Sequence, residues 1–379
     1  LEQADFLVIG AGMAGASAAY ELAVHGKVVV IERESQPGYH STGRSAALYT
    51  QTYGPPVIRA MTVASWGFYT EPPDGFTDHA MLTPRGVLIV GRDGQTDRLD
   101  AEFANGRRLT PSVERFDRAR TLAMAPFLRP DYPAGAVWEP DARDIDVHAL
   151  HQGYLRGLKA RGGRVVTDAG VSALARRDGL WVARTAAGVF AAPVVVDAAG
   201  AWADALAELA GVRPVGLVPK RRTAITFDPV FADPADKAGL DGWPMVCDLD
   251  ETFYVKPDAG RLLASPADET PVAPCDVQPE ELDVAETVER LEQASRFSVR
   301  RFAHSWAGLR SFVADKTPVV GFDDRAEGFF WLCGQGGYGI QTAPAMGRTA
   351  AALATGGDLP EDVRKLGVSA RDLSPARLR

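Results

Sequence analysis

Gly10, Gly12 and Gly15 take the spacing GxGxxG in the segment GAGMAG, and Glu32 closes the next apolar run of the chain. Each residue type has a task beside a pyrophosphate. The first glycine allows a tight turn, the second lets backbone approach the phosphates, and the third permits a helix to pack closely on its strand. A helix opening at this turn, with Ala14 in its first residues, supplies partial positive charge. Glu32, with Arg33 beside it, can accept from ribose hydroxyls. A glycine-rich turn needed only for packing is the alternative, but strand, helix and acid fall in register here.

Two further segments extend the site. GYHSTGRSAALYT, Gly38 to Thr50, follows the acid and carries the hydroxyls of Ser41, Thr42 and Ser45 and the cation of Arg44 among the small residues Gly43, Ala46 and Ala47, before Leu48. Such a stretch can line an extended cofactor; on residues alone it also reads as a surface loop. CGQGGYGIQTAPAMG, near the C-terminus, sets Gly334, Gly336, Gly337 and Gly339 before a second small-residue helix, whose N-terminal dipole suits the anionic edge of a reduced flavin. Together the two segments favour FAD over a nicotinamide dinucleotide.

The elements that hold these residues are legible as patterns. Phe6–Ile9 and Val28–Ile31 are continuous apolar runs, as expected of strands buried on both faces. Val147, Leu150, Tyr154, Leu155 and Leu158 keep helical spacing until Gly162 and Gly163 stop them. Asp178–Gly179 signals a hairpin. The region from 52 to 140 reads as irregular apart from a helix near Val57 to Tyr69. Residues 213 to 301 read as a largely antiparallel sheet with a charged helix around Pro279 to Ser295.

Composition narrows the class. The 379 residues suit roughly two to three domains, or two interleaved ones. A net charge of −8 argues against a nucleic-acid binder. Cys247, Cys275 and Cys333 are too scattered for a disulfide framework or a CxxC site. His148 and His151 stand at i, i+3 on a helix with no cysteine or carboxylate to complete a ligand set, so no metal is expected and an ordinary helix-face pair is the better reading. LEQADFLVIG does not read as a basic leader, so no signal peptide is expected, and the sequence has no run of 18 apolar residues. A soluble, cytoplasmic protein without a membrane span is the expectation.

The words FLVIGAG, GYHSTGRSAA, LHQGYLRG, AAGAWADALAELAGVRP, PKRR, FYVKPDAG, WAGLRSFVAD and GQGGYGIQT run through nearly the whole chain. In them the sequence resembles the D-amino-acid oxidase/glycine oxidase superfamily of flavoproteins and, within it, the bacterial FAD-dependent D-arginine dehydrogenases. The resemblance implies a mixed α/β fold: a Rossmann-like FAD-binding domain (1–50, 141–215, 311–379) interleaved with a largely antiparallel β-sheet substrate-binding domain (51–140, 216–310). It implies that the Gly38–Thr50 stretch runs along the pyrophosphate to the flavin ring. Val171 would then touch the adenine through its backbone, and Gly200, Gly336, Tyr338, Gly339 and Ile340 would join the cofactor site. Relatives that bind flavin covalently carry a cysteine near the position of Ser311–Phe312; none stands here, so FAD is expected to be non-covalent.

The same resemblance assigns the chemistry: oxidation of a free amino acid by hydride transfer from Cα to flavin N5. Arg222 and Arg310 match the positions that clamp the substrate carboxylate, a task suited to planar guanidinium forks. On residues alone, Lys220–Arg221–Arg222 would read as a solvated basic patch. Tyr53 and Tyr254 match positions beside the substrate, and Gly337 and Gln341 belong at the ring's edge, Gly337 offering its carbonyl to the substrate amine. Thr50, Leu48 and Val87 fall in the substrate pocket. D-Arginine-preferring relatives are expected to hold the cationic side chain with a carboxylate and a histidine where this chain has Val87 and Leu48, so neutral, apolar D-amino acids are the expected substrates. Asp78 or Glu139 could still supply a carboxylate to that pocket. The competing readings are a D-arginine- or D-lysine-preferring enzyme, an oxidase of a sarcosine-, glycine- or proline-like amino acid, a nicotinamide-dependent dehydrogenase, and a non-catalytic flavoprotein. The electron acceptor stays open.

Overall fold

In the computed structural model, residues 1–108 and 110–379 are described. The runs FLVI, VVVI, VVVD and FFWLC form the centre of a six-stranded sheet because their side chains are apolar on both faces. Its order is Arg164–Val166, Val28–Ile31, Phe6–Ile9, Val194–Asp197, Phe329–Cys333 and Val319–Phe322, parallel except for the last strand. Alternate residues of these strands enter two cores. Val8, Val30, Val196 and Phe330 meet the helices Met13–Leu22 and Ala343–Ala354. Leu7, Val29, Val195 and Trp331 meet a smaller sheet containing Val171–Arg177, Leu180–Thr185 and Gly188–Ala192.

The small residues in the two helices have a packing purpose. A Cβ placed on Gly347 would lie 2.9 Å from the Ser17 backbone, so only glycine lets the helices approach this closely. Val147–Ala160 forms a helix whose Asp146 caps the Ala149 N–H at 2.8 Å. The Asp178–Gly179 turn joins its two strands with both residues at positive φ, as a two-residue hairpin turn of this kind requires. Pro193 separates Gly188–Ala192 from Val194–Asp197, and the two strands lie in different sheets.

A nine-stranded sheet draws its strands from 87–139 and 218–312. It is antiparallel except where Met245–Asp248 runs parallel to Val87–Gly91. The region read as irregular contributes Val87–Gly91, Glu114–Asp117 and Gly135–Glu139 to it. The helix Pro56–Thr70 lies close to the span expected, as does the charged helix, at Glu281–Ala294. The strand Phe302–Phe312 continues through the domain boundary drawn at 310/311. Among the described residues no helix is long and apolar enough to cross a membrane, and no cluster of three or more His, Cys, Asp or Glu could hold a metal ion.

Candidate cofactor and active site

Both sheets border one cavity of about 1120 Å³. At its first end the chain turns at Gly10, whose φ is +105° and whose added Cβ would lie 2.3 Å from the Ala198 carbonyl oxygen. Gly15 does not line the cavity; a Cβ there would sit 1.9 Å from the Gly10 carbonyl oxygen, so its task is the close packing of helix on strand. Ala11, between the first two glycines, is held by side chains at both polar groups. Its N–H donates to Glu32 Oε2 at 2.8 Å, and its carbonyl oxygen faces His151 Nε2 at 2.8 Å. His151 is therefore no ordinary helix-face histidine. It is buried, and desolvation depresses its pKa, so the neutral ring donates through Nε2.

Glu32 also accepts from the Glu34 N–H at 2.9 Å, which fixes the carboxylate beside the turn. Val171 and Gly200 line the same end, and Arg33 lies over the Trp202 ring at 4.8 Å. The stretch 38–50 contacts both the helix Met13–Leu22 and the nine-stranded sheet, and its Leu48–Tyr49 pairs with Arg143–Ile145 in a small three-stranded sheet. Thr42 Oγ1 accepts from Met13 N–H at 2.9 Å, and Ser41 Oγ donates to the Leu309 carbonyl at 2.7 Å. Gly43 does not line the cavity; its N–H closes the loop on the Gly38 carbonyl at 2.8 Å. Arg44 lines the cavity, yet its guanidinium bonds Asp276 and the carbonyls of Val277 (2.9 Å) and Ala307 (3.1 Å). Expected as a cation for the cofactor, it ties the loop to the other sheet.

The nine-stranded sheet forms the far wall. Strand register puts Arg310 opposite Lys220, and Arg222 two residues further along, on the same face. On neighbouring strands Tyr254 stands opposite Cys247, Cys247 opposite Ile89, and Met245 opposite Val87, and all five line the cavity. Arg310 Nη1 donates to the Tyr53 hydroxyl at 3.3 Å. Burial works against its charge, but the phenols of Tyr53 and Tyr254 outweigh that effect and hold its pKa above the ordinary arginine value. Arg222 is 8% exposed. Its Nε donates to the Asp268 carbonyl at 2.8 Å, and Nη2 lies 3.6 Å from Glu269. Nη2 has no hydrogen-bond partner among the described residues. Burial and the nearby Arg310 lower its pKa, although an arginine remains charged. A buried donor without an acceptor next to a second cation is a site prepared for an anion.

Gly336, Gly337, Tyr338, Gly339, Ile340 and Gln341 complete the wall between the two arginines and the helix Ala343–Ala354. Gln341 Nε2 donates to Thr62 Oγ1 at 2.9 Å, and Tyr69 OH bonds the Ile340 carbonyl at 2.5 Å, so this segment is fastened to the helix Pro56–Thr70. Thr50, Leu48 and Val87 line the cavity. So do Ile89, Met245 and Cys247, which the sequence reading missed. The strand period of two, counted from Val87, would have found Ile89. His151 and Asp276 left no such signal, since their partners are set by tertiary folding.

A glycine turn onto a helix, an acid beside it, a long cavity and a second glycine segment fit a flavin dinucleotide. The chain matches the family described as DAO, FAD dependent oxidoreductase, over residues 5–353, and it belongs to that family. Its cofactor is FAD. The chain is 24% identical over 374 residues to the uncharacterized oxidoreductase YurR of Bacillus subtilis (strain 168), covering 93% of this chain and 95% of that one. It is 23% identical to the mitochondrial sarcosine dehydrogenase of Mus musculus over 91% of this chain, but spans only 39% of that protein. The crystal structure of glycine oxidase from Geobacillus kaustophilus superposes with a TM-score of 0.79 at 22% identity, over 94% of this chain and 96% of that one.

Proposed function

We propose that the protein oxidises free α-amino acids to imino acids, which hydrolyse to 2-oxo acids and ammonia, and that it prefers neutral, apolar D-amino acids. The observation that carries this reading is the convergence of Arg222 and Arg310 on one face of the sheet, with Arg222 Nη2 unpartnered among the described residues. The two guanidinium groups bind the carboxylate, Tyr53 and Tyr254 flank it, and the Gly337 carbonyl accepts from the amine. Bound FAD, held non-covalently, supplies the acceptor for the hydride leaving the α-carbon. A substrate amine that binds neutral needs no dedicated base.

The side-chain preference follows from Leu48 and Val87. A guanidinium or ammonium finds no acceptor in these two side chains, and burying a polar group against them unpaired costs about 2–7 kcal/mol. Asp78 and Glu251 are exposed and Glu102 lies 4.0 Å from Arg59. Buried Asp248 is taken up by Tyr132, Thr252 and Arg92, and buried Glu139 does not line the cavity and already accepts from Thr50, Gln51 and Thr52. A second reading, a small or N-substituted amino acid, draws support from the relatives named glycine oxidase and sarcosine dehydrogenase. Anaerobic bleaching of the flavin by a panel including D-leucine, D-methionine, D-arginine, glycine, sarcosine and L- and D-proline separates the readings. A tenfold or greater preference for D-arginine over D-leucine overturns the apolar pocket; bleaching by glycine, sarcosine or proline alone favours the second reading.

A further inference from the structure

We infer that Glu139 determines which substrate side chains the cavity accepts, by leaving Thr50 and Thr52 able only to accept hydrogen bonds and by placing a buried carboxylate directly behind them. The inference rests on the amino-acid reading above and extends it to the side-chain end of the site.

Glu139 ends the strand Gly135–Glu139, stands opposite Val87 and is 2% exposed. Its Oε2 accepts from Thr50 Oγ1 at 2.7 Å and from Thr52 Oγ1 at 2.5 Å, and its Oε1 accepts from the Gln51 N–H at 2.7 Å. No salt bridge reaches it among the described residues. Burial pushes its carboxyl above the ordinary glutamate value, and the hydrogen bonds from Thr52, Thr50 and Gln51 pull against that shift. Converging donors favour the ionised form.

A hydroxyl has one hydrogen, and both threonines have directed theirs at Glu139. Both line the cavity together with Leu48 and Val87, so what they offer a ligand is lone pairs. The loop has little freedom to re-aim. Gln51 Nε2 donates to Tyr49 OH at 2.9 Å, Tyr49 OH donates to the Thr62 carbonyl at 3.1 Å, and Thr110 Oγ1 donates to Gln51 Oε1 at 3.0 Å. A substrate side chain ending in an amide or hydroxyl finds acceptors there. One ending in a carboxylate meets lone pairs and, one hydroxyl further, a like charge. Like charges so placed disfavour binding on the order of 100-fold.

The test compares substrates of equal shape: D-glutamine and D-glutamate, by kcat/KM or, where turnover is slow, by inhibition constant against a good substrate. Wild type should favour D-glutamine by about 100-fold. Glu139→Gln should cut that ratio by at least about tenfold, whereas a purely structural defect would weaken both substrates together. An unchanged ratio in a folded, FAD-bound Glu139→Gln protein overturns the inference while leaving the amino-acid reading intact. If no amino acid bleaches the wild-type flavin, that reading fails and takes this one with it. Should Glu139→Gln not fold, Thr52→Val is used with D-threonine and its isostere D-valine: loss of a D-threonine preference supports the acceptor role, and an unchanged ratio overturns it.

Discussion

The Arg310 guanidinium lies flat against Gly337, so close that a Cβ on that glycine would sit 2.8 Å from Cζ and 2.8 Å from Nη1. Gly337 has no positive φ, so alanine is tolerated by the backbone and the conflict falls on the arginine. Gly337→Ala should keep FAD and raise KM by roughly tenfold, about 1.4 kcal/mol. Steady-state kinetics beside a flavin absorbance ratio check this; an unaltered KM would mean that Arg310 does not hold substrate.

Arg310→Met and Arg222→Met should each leave FAD bound and lower kcat/KM by roughly 30- to several-thousand-fold. That range corresponds to ~2–5 kcal/mol for truncating one side of a buried charge pair. Kinetics close to wild type in either variant would contradict the carboxylate clamp.

The His151 ring couples the glycine turn to pH. Burial lowers its pKa below 6.5, so the folded protein takes up this proton at lower pH than the unfolded chain does. Its contribution to stability is therefore complete above pH 6.5 and is lost as pH falls through the folded-state value. Melting temperature and FAD retention should both decline over that acid range. His151→Gln keeps a donor for Ala11 and should flatten the decline; an identical pH profile in the variant would remove His151 from the explanation.

Arg44 and Asp276 fasten the cofactor loop to the nine-stranded sheet. Their ion pair is half exposed at Asp276, so Asp276→Ala should quicken FAD loss only a few-fold, consistent with ~0–1 kcal/mol for such a pair. Arg44→Ala also removes the bonds to Val277 and Ala307 and should release FAD faster still. Recovery of flavin fluorescence after dilution measures both rates, and equal rates in all three proteins would show the latch to be idle.

Cys247 lines the cavity and is the thiol best placed to attack a flavin. Burial pushes its pKa up to about 12, which keeps it protonated and unreactive near neutral pH. Acid precipitation should therefore leave all flavin in the supernatant. Yellow colour in the washed pellet would establish a covalent bond.

The cofactor half of the site was legible because its residues act through local rules: a turn, a helix start and an acid one strand away, all within Phe6–Glu32. The strands 87–91, 114–117 and 135–139 were not. They are short, end or begin on a glycine in two of the three cases, and pair with partners as distant as Met245–Asp248. Arg222 stood out through resemblance alone, since in isolation PKRR is a basic patch, whereas Arg310 was also marked as a lone cation amid Trp306, Leu309 and Phe312. Antiparallel register is what brings the two onto one face. Glu139 was visible only as a possible rival carboxylate, because nothing in the sequence says that three consecutive residues, Thr50 to Thr52, would bond it.

The central strand Val194–Asp197 is flanked by Phe6–Ile9 on one edge and Phe329–Cys333 on the other. During synthesis the second neighbour emerges on the order of ten seconds after the first pairing becomes possible, at about 5–20 residues per second. Throughout that interval an apolar strand presents an open edge, and the nascent chain has no second glycine segment with which to enclose a flavin. Cofactor capture thus waits for residues 334–341 to emerge, and premature termination before residue 329 produces a sticky fragment instead of a weak enzyme.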